Sequence, residues 1–69
     1  MKTIKKAQSK GGKYRLELKT DGTEYRLEDY VNRELKGVSR RYSKEQALIL
    51  FEDRVKDRKE IDNINLIIK

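Results

Sequence analysis

The stretch Lys13–Leu27, KYRLELKTDGTEYRL, decides the fold. Tyr14, Leu16 and Leu18 alternate with Arg15, Glu17 and Lys19. A period of two marks a strand with one apolar and one charged face. Asp21-Gly22 follows. An Asp-Gly pair between alternating segments signals a hairpin, because a type I′ turn needs positive φ at both central residues. The next strand is expected from Thr23 or Glu24, with Tyr25 and Leu27 facing inward.

Beyond Leu27 the alternation falters. Asp29 falls on an inward position, and Tyr30 and Val31 are adjacent apolar residues. A bulge near Glu28-Asp29 would shift the register by one residue. Leu27, Tyr30, Val31, Leu35 and Val38 also fit helical spacing, with Gly37 as a C-terminal cap. Strand is preferred, because the segment is rich in Tyr and Val, and YVNRELKGVSRRY reads as a second hairpin turning near Asn32–Leu35.

Ser43-Lys44-Glu45-Gln46 has the form of a capping box, with Tyr42 as its hydrophobic staple. Ala47, Leu48, Phe51 and Val55 then share one helical face, with Leu50 beside it, over a helix expected from Lys44 to Lys59. Glu52, Asp53, Lys56, Asp57 and Glu60 form its outer side. After Asp62-Asn63, the alternating run Ile64–Ile68 suits a short closing strand; its other readings are an apolar extension of the helix or a homodimer contact.

In front of the first hairpin, residues 1–12 read as a basic N-terminal arm ending at Gly11-Gly12, either flexible or forming a short edge strand over Thr3–Gln8. Residues 13–69 read as one small α+β domain: an antiparallel sheet of three or four strands packed on one C-terminal helix, ordered β-β-β-α, with Ile64–Ile68 available as a closing strand.

The 69 residues allow one small core. Without Cys there is no disulfide, thiolate nucleophile or cysteine zinc site, and without His the usual general base and commonest metal ligand are missing. No enzyme and no cofactor are expected. The longest apolar run, Ala47–Phe51, has five residues, against about 20 for a bilayer span. A soluble cytoplasmic protein, in the host cytoplasm if phage-encoded, with no membrane partner is therefore expected.

The formal charge of +6 is unevenly placed. Residues 1–20 hold seven cationic side chains against Glu17, residues 21–42 hold five of each sign, and residues 43–69 six of each. A one-sided excess makes a local field that attracts polyanions or acidic partners; a solvated lysine tail is the plain alternative.

Motifs for specific chemistry fail on their flanks. Lys36-Gly37-Val38-Ser39 lacks the apolar positions of a helix-turn-helix and the stacking aromatics of an RNA-recognition motif. Gly11-Gly12-Lys13 lacks the upstream Gly and following helix of a phosphate loop. The adjacent carboxylates Glu28-Asp29 and Glu52-Asp53 diverge in any regular element. Arg40-Arg41 beside Tyr42 is the sharpest remaining feature. Simple alternation sets Arg41 opposite Val38 and Tyr42, on the solvent face with Arg15, Lys19 and Arg26. Such a face could neutralise phosphates, or its cations could pair across strands with Glu17, Glu28 and Glu34. Most of the four tyrosines read as core-edge residues with wet hydroxyls, not as base-stacking platforms.

GGKYRLEL, the Asp21-Gly22 hairpin and RRYSKEQALILF together resemble two groups of proteins. One is the set of small uncharacterised phage and mobile-element proteins whose hairpins run into a Tyr-Ser-Lys-Glu helix start. The other, more weakly, is the arm-type N-terminal DNA-binding domain of tyrosine recombinases. The resemblance spans about residues 11–58. The second implies a sheet docked in a DNA groove through Arg15, Lys19, Arg26 and Arg41. The expected function is thus a small non-enzymatic binding protein of phage or mobile-element type, contacting nucleic acid through Lys5, Lys6, Lys10, Lys13, Arg15, Lys19, Arg26, Arg40 and Arg41. The alternative is a protein-binding module or inhibitor of an acidic host protein.

Overall fold

In the computed structural model, which describes residues 1–69, five antiparallel strands form one sheet and a single helix packs on one of its faces. The strands are β1 (Lys2–Ser9), β2 (Tyr14–Thr20), β3 (Tyr25–Val31), β4 (Glu34–Arg41) and β5 (Leu66–Ile68), and the helix is α1 (Lys44–Glu60). Across the sheet the order is β4-β3-β2-β1-β5. The α+β class, the second hairpin, the helix and the closing strand are as expected.

The β2–β3 hairpin sets the core. Leu18 stands opposite Leu27 on the helix side, and Leu16 beside them. With Ala7 of β1, Leu66 of β5 and Ala47 and Phe51 of α1, they form the buried core. Ser43 caps the helix, its Oγ accepting from the Gln46 N–H at 3.1 Å. Tyr42 is no staple: it stands 75% exposed. Asn63, at φ 56°, turns the chain after the helix towards β5, a conformation Asn tolerates. Leu66 and Ile64 are used inside the protomer, which leaves Ile67 and Ile68 exposed on the sheet edge.

Three local expectations are refined. The strand expected within residues 1–12 forms as β1, between β2 and β5, but β5 pairs only with Ala7–Ser9, so the Lys2–Lys5 half stays on the sheet edge. The basic residues of β1 do not keep it out of the sheet. Ala7 fills the core, Ile4 is accommodated at a bulge, and the Lys5 ammonium lies 5.7 Å from the centre of the Phe51 ring, an arrangement that buries the stem and keeps the charge favourable.

The first hairpin does not use a type I′ turn. Only Gly22 has positive φ, and the loop runs over four residues between Thr20 and Tyr25. The Asp21 carboxylate instead accepts from the backbone N–H groups of Thr23 and Glu24 at 2.8 and 2.9 Å, the local bonding that competes with positive φ. The two-residue turn with both φ values positive is the second one, Asn32 at 52° and Arg33 at 71°.

The bulge lies on β4, not at Glu28-Asp29. The β2–β3 register runs unbroken from Tyr14–Val31 to Thr20–Tyr25. Asp29 pairs with Gly37 and Tyr30 with Leu35, so Lys36 is the extra residue. Asp29 stays inward and only 8% exposed because Arg58 of α1 reaches its carboxylate, while also donating to Asp62 at 2.8 Å. This pair ties the end of the helix to the sheet.

Removing Arg58 strands the Asp29 carboxylate. Arg58→Ala is expected to cost about 1–3 kcal/mol in urea denaturation. The double variant Asp29→Leu/Arg58→Leu should recover most of that, because apolar replacement of a buried ion pair removes its desolvation cost. A double variant no more stable than Arg58→Ala would contradict this.

Candidate nucleic-acid interface

The helix covers one face of the sheet and leaves the other to solvent. On that outer face the registers align side chains in rows across the strands. Lys6, Glu17, Glu28 and Val38 form one row. Thr3, Lys19, Arg26 and Arg40 form a second, and Gln8, Arg15, Tyr30 and Leu35 a third. An acidic row therefore lies between two that hold the arginines.

Glu28 is the hub. It is only 6% exposed. Lys19 Nζ lies 2.7 Å from it, the Tyr30 hydroxyl donates to it at 2.6 Å, and an Arg26 amino nitrogen stands 3.6 Å away. Burial pushes the Glu28 carboxyl up, but the hydrogen bonds from Lys19 and Tyr30 and the Lys19 and Arg26 charges outweigh it and hold it below the ordinary value. The same hydrogen bonds raise Lys19 and Tyr30, against the burial of Lys19. Tyr30 is thus no wet core-edge tyrosine: its hydroxyl is committed to Glu28, and the Arg15 guanidinium stacks 4.2 Å from its ring centre. Arg15 Nε also lies 2.6 Å from Glu17, a contact too poorly aligned to count as a hydrogen bond.

The nine residues singled out in the sequence divide into three sets. Arg15, Lys19, Arg26 and Arg40 share the outer face, each within 4.0 Å of a carboxylate: Glu17 for Arg15, Glu17 and Glu28 for Lys19, Glu24 and Glu28 for Arg26, and Glu24 for Arg40. The cross-strand pairing expected of Glu28 is present, with Lys19, whereas Glu17 is engaged by Arg15 and Lys19 of its own strand and Glu34 binds Lys36 on its own strand. Lys6 faces the same side with no carboxylate partner, and Lys10 and Lys13 flank the Gly11-Gly12 turn, Lys13 Nζ lying 5.4 Å from the Tyr14 ring centre. Lys5 and Arg41 face the helix side, opposite Leu18 and Tyr25.

Arg41 is the correction. Unbroken alternation from Glu34 would place Val38 inward and Arg41 outward. The bulge at Lys36 reverses the parity of everything after it, so Val38 and Arg40 face out and Ser39 and Arg41 face in.

Two features of the site lay outside the sequence reading. The Asp29–Arg58 pair spans 29 residues; its only local sign was Asp29 at an inward position. The Glu28 hub needs β2 and β3 in register. No pocket opens on the surface, and no three carboxylates gather as metal ligands. No helix is long and apolar enough to cross a membrane. Comparison with family models, curated proteins and solved structures finds no match.

The hub sets the acid limb of stability. The carboxyl of Glu28 is lowered on folding, so its contribution is complete above the ordinary glutamate value of about 4.5 and is lost as pH falls through the folded value. Glu28→Gln should cost about 1–3 kcal/mol at pH 7 and flatten the decline in urea midpoint on acidification. Parallel pH profiles for the two proteins would contradict the hub.

Proposed function

We propose that the protein is a small non-enzymatic nucleic-acid-binding protein of the phage or mobile-element type, acting in the cytoplasm. One observation supports this above others. Lys2, Lys5, Lys6, Lys10 and Lys13 lie along β1 and the turn after it, and none has a carboxylate within 4.0 Å. Glu17 stands opposite Lys6 but is engaged by Arg15 and Lys19.

The free lysines continue into neighbouring elements. The Lys69 N–H donates to the Lys6 carbonyl at 2.7 Å, and the Asn32 N–H to the Lys13 carbonyl at 2.9 Å. Lys69 is thereby set beside β1, and the Asn32-Arg33 turn beside Lys13. A positive border thus runs from Lys6 to the end of the sheet that holds both tight turns. Four residues of strand span roughly 13 Å, enough to meet several phosphates of a duplex, whose charges recur about every 1.7 Å of axis. Lysines of this kind supply affinity without reading bases.

A second reading has its own observation. The outer edge of β4 is unpaired, with Leu35 and Val38 exposed among Lys36, Arg40 and Arg41. An extended acidic segment of a host protein could add there as a sixth strand. Capture that survives nuclease treatment and is lost on β4 substitution would favour this reading.

For the nucleic-acid reading, the logarithm of affinity for a duplex DNA should fall linearly with the logarithm of salt, with a slope of about −0.9 per phosphate contacted. Lys6→Gln/Lys10→Gln/Lys13→Gln should remove about 2.7 from that slope and leave the urea midpoint nearly unchanged. Salt-independent binding between about 50 and 200 mM, or an unaltered slope in the triple variant, would refute the proposal.

A further inference from the structure

We propose that the cross-strand pair Arg26–Arg40 is a seat for a phosphate group. The argument begins with the bulge at Lys36. Without it, the β3–β4 ladder would continue from Val31–Glu34 and Tyr30–Leu35 into Asp29–Lys36, Leu27–Val38 and Arg26–Ser39. Each of those is a good pair: an ion pair, an apolar pair on the core face, and an arginine beside a hydroxyl. The observed register pairs Asp29 with Gly37, Leu27 with Ser39, Glu28 with Val38 and Arg26 with Arg40. Val38 becomes exposed, and two guanidinium-bearing residues stand directly opposite one another, an unfavourable cross-strand pair. Bulges re-aim side chains, and here the side chain brought to the outer face is Arg40.

The two guanidinium groups remain short of acceptors. Arg26 Nε is buried and has none. Its amino nitrogens stand 3.6 Å from Glu28 and 3.9 Å from Glu24, outside hydrogen-bond range. Arg40 Nε lies 3.5 Å from that same Glu24 oxygen, and the Arg40 side chain is 56% exposed. Lys19, the third cation of the row, is committed to Glu28. One carboxylate oxygen thus lies near both arginines and satisfies neither. A tetrahedral phosphate presents several oxygens and can accept from two planar forks at once. It would also neutralise the like-charge pair.

This deepens the nucleic-acid reading by naming the group recognised and two residues that hold it, and in that respect it rests on that reading. The phosphate could instead be free in solution, so the test has two arms. In the first, inorganic phosphate is titrated against chloride at equal ionic strength, and the arginine Nε–Hε NMR signals are followed. Arg26 and Arg40 should shift saturably, while Arg58, hydrogen-bonded to Asp29 and Asp62, stays in place. In the second, a 12-base-pair duplex is titrated into wild type, Arg40→Gln and Arg40→Lys. Both variants should bind about tenfold more weakly, the lysine variant included because it keeps the charge and loses the fork. Arg40→Gln should fold at least as stably as wild type, since it removes the charge facing Arg26, and so remains a readout if Arg26→Gln fails to fold.

Duplex binding with unmoved Arg26 and Arg40 signals and unchanged Arg40 variants would overturn the seat and leave the nucleic-acid reading standing. A saturable phosphate response without duplex binding would support the seat and remove that reading. No response to either ligand would overturn both.

Discussion

A single helix laid on one face of a five-stranded sheet sets the terms for everything else in this protein. Alternate residues of each strand must serve a core built from Leu16, Leu18, Leu27, Ala7, Leu66, Ala47 and Phe51. The remaining residues must be stable in contact with water. An apolar outer face would invite association. A face of one charge would repel itself. The solution is an ordered one: Glu17 and Glu28 lie in a row between the rows holding Arg15 and Lys19–Arg26–Arg40. Glu28, with Val38 and Glu17 as cross-strand neighbours, is nearly as buried as a core residue, yet it lies on the side without a helix. Its burial comes from the cationic and aromatic side chains that close over it, so the outer face has a polar packing of its own.

The same constraint separates the cations by role. Those on β2 and β3 hold carboxylates and belong to the architecture. Those on β1 and its turn hold none. Partly buried ion pairs such as Lys19–Glu28 are screened less by salt than an exposed lysine acting on a polyanion at a distance. The ion pairs of the sheet and the field of the free lysines therefore respond differently to salt. Arg26 and Arg40 fall between the two groups, placed by the sheet and incompletely paired.

What was legible in the sequence follows from how local each decision is. Tyr14, Leu16 and Leu18 alternate within seven residues, and Ser43 with Gln46 marks the helix start within four, so β2 and α1 could be read directly. A turn near Asn32–Leu35 and the closing strand could also be read locally, although helical spacing competed over Leu27–Val38. β1 did not. Its inward residues include small Ala7 and charged Lys5, and its membership of the sheet is decided by partners on both sides, β2 and β5, the latter almost sixty residues away. Arg41 was misplaced for a related reason. One unpaired residue, Lys36, reverses the facing of the rest of β4, and nothing in ELKGVSRR announces it. The irregular position that did show, Asp29, pointed to the wrong strand because its true explanation is Arg58.

That reversal bears on how the surface came to have its present form. A sequence chosen only for stability would set Val38 against Leu27 and Lys36 against Asp29, in a regular ladder. Here Asp29 is satisfied from the helix, which frees its cross-strand position for Gly37 and makes the bulged register tolerable. The Arg58 pin on the covered face and the Arg26–Arg40 pair on the open face are then linked through one strand. Local rules broken together within a few residues, with compensation from a distant side chain, are the pattern expected where a surface is shaped for contact rather than for folding alone. The bulge also serves the sheet edge, since it interrupts the flat ladder on which another chain could pair. Edge protection accounts for an irregularity on β4. It does not account for an arginine at position 40 facing Arg26, because another residue there would leave the bulge and the edge protection unchanged.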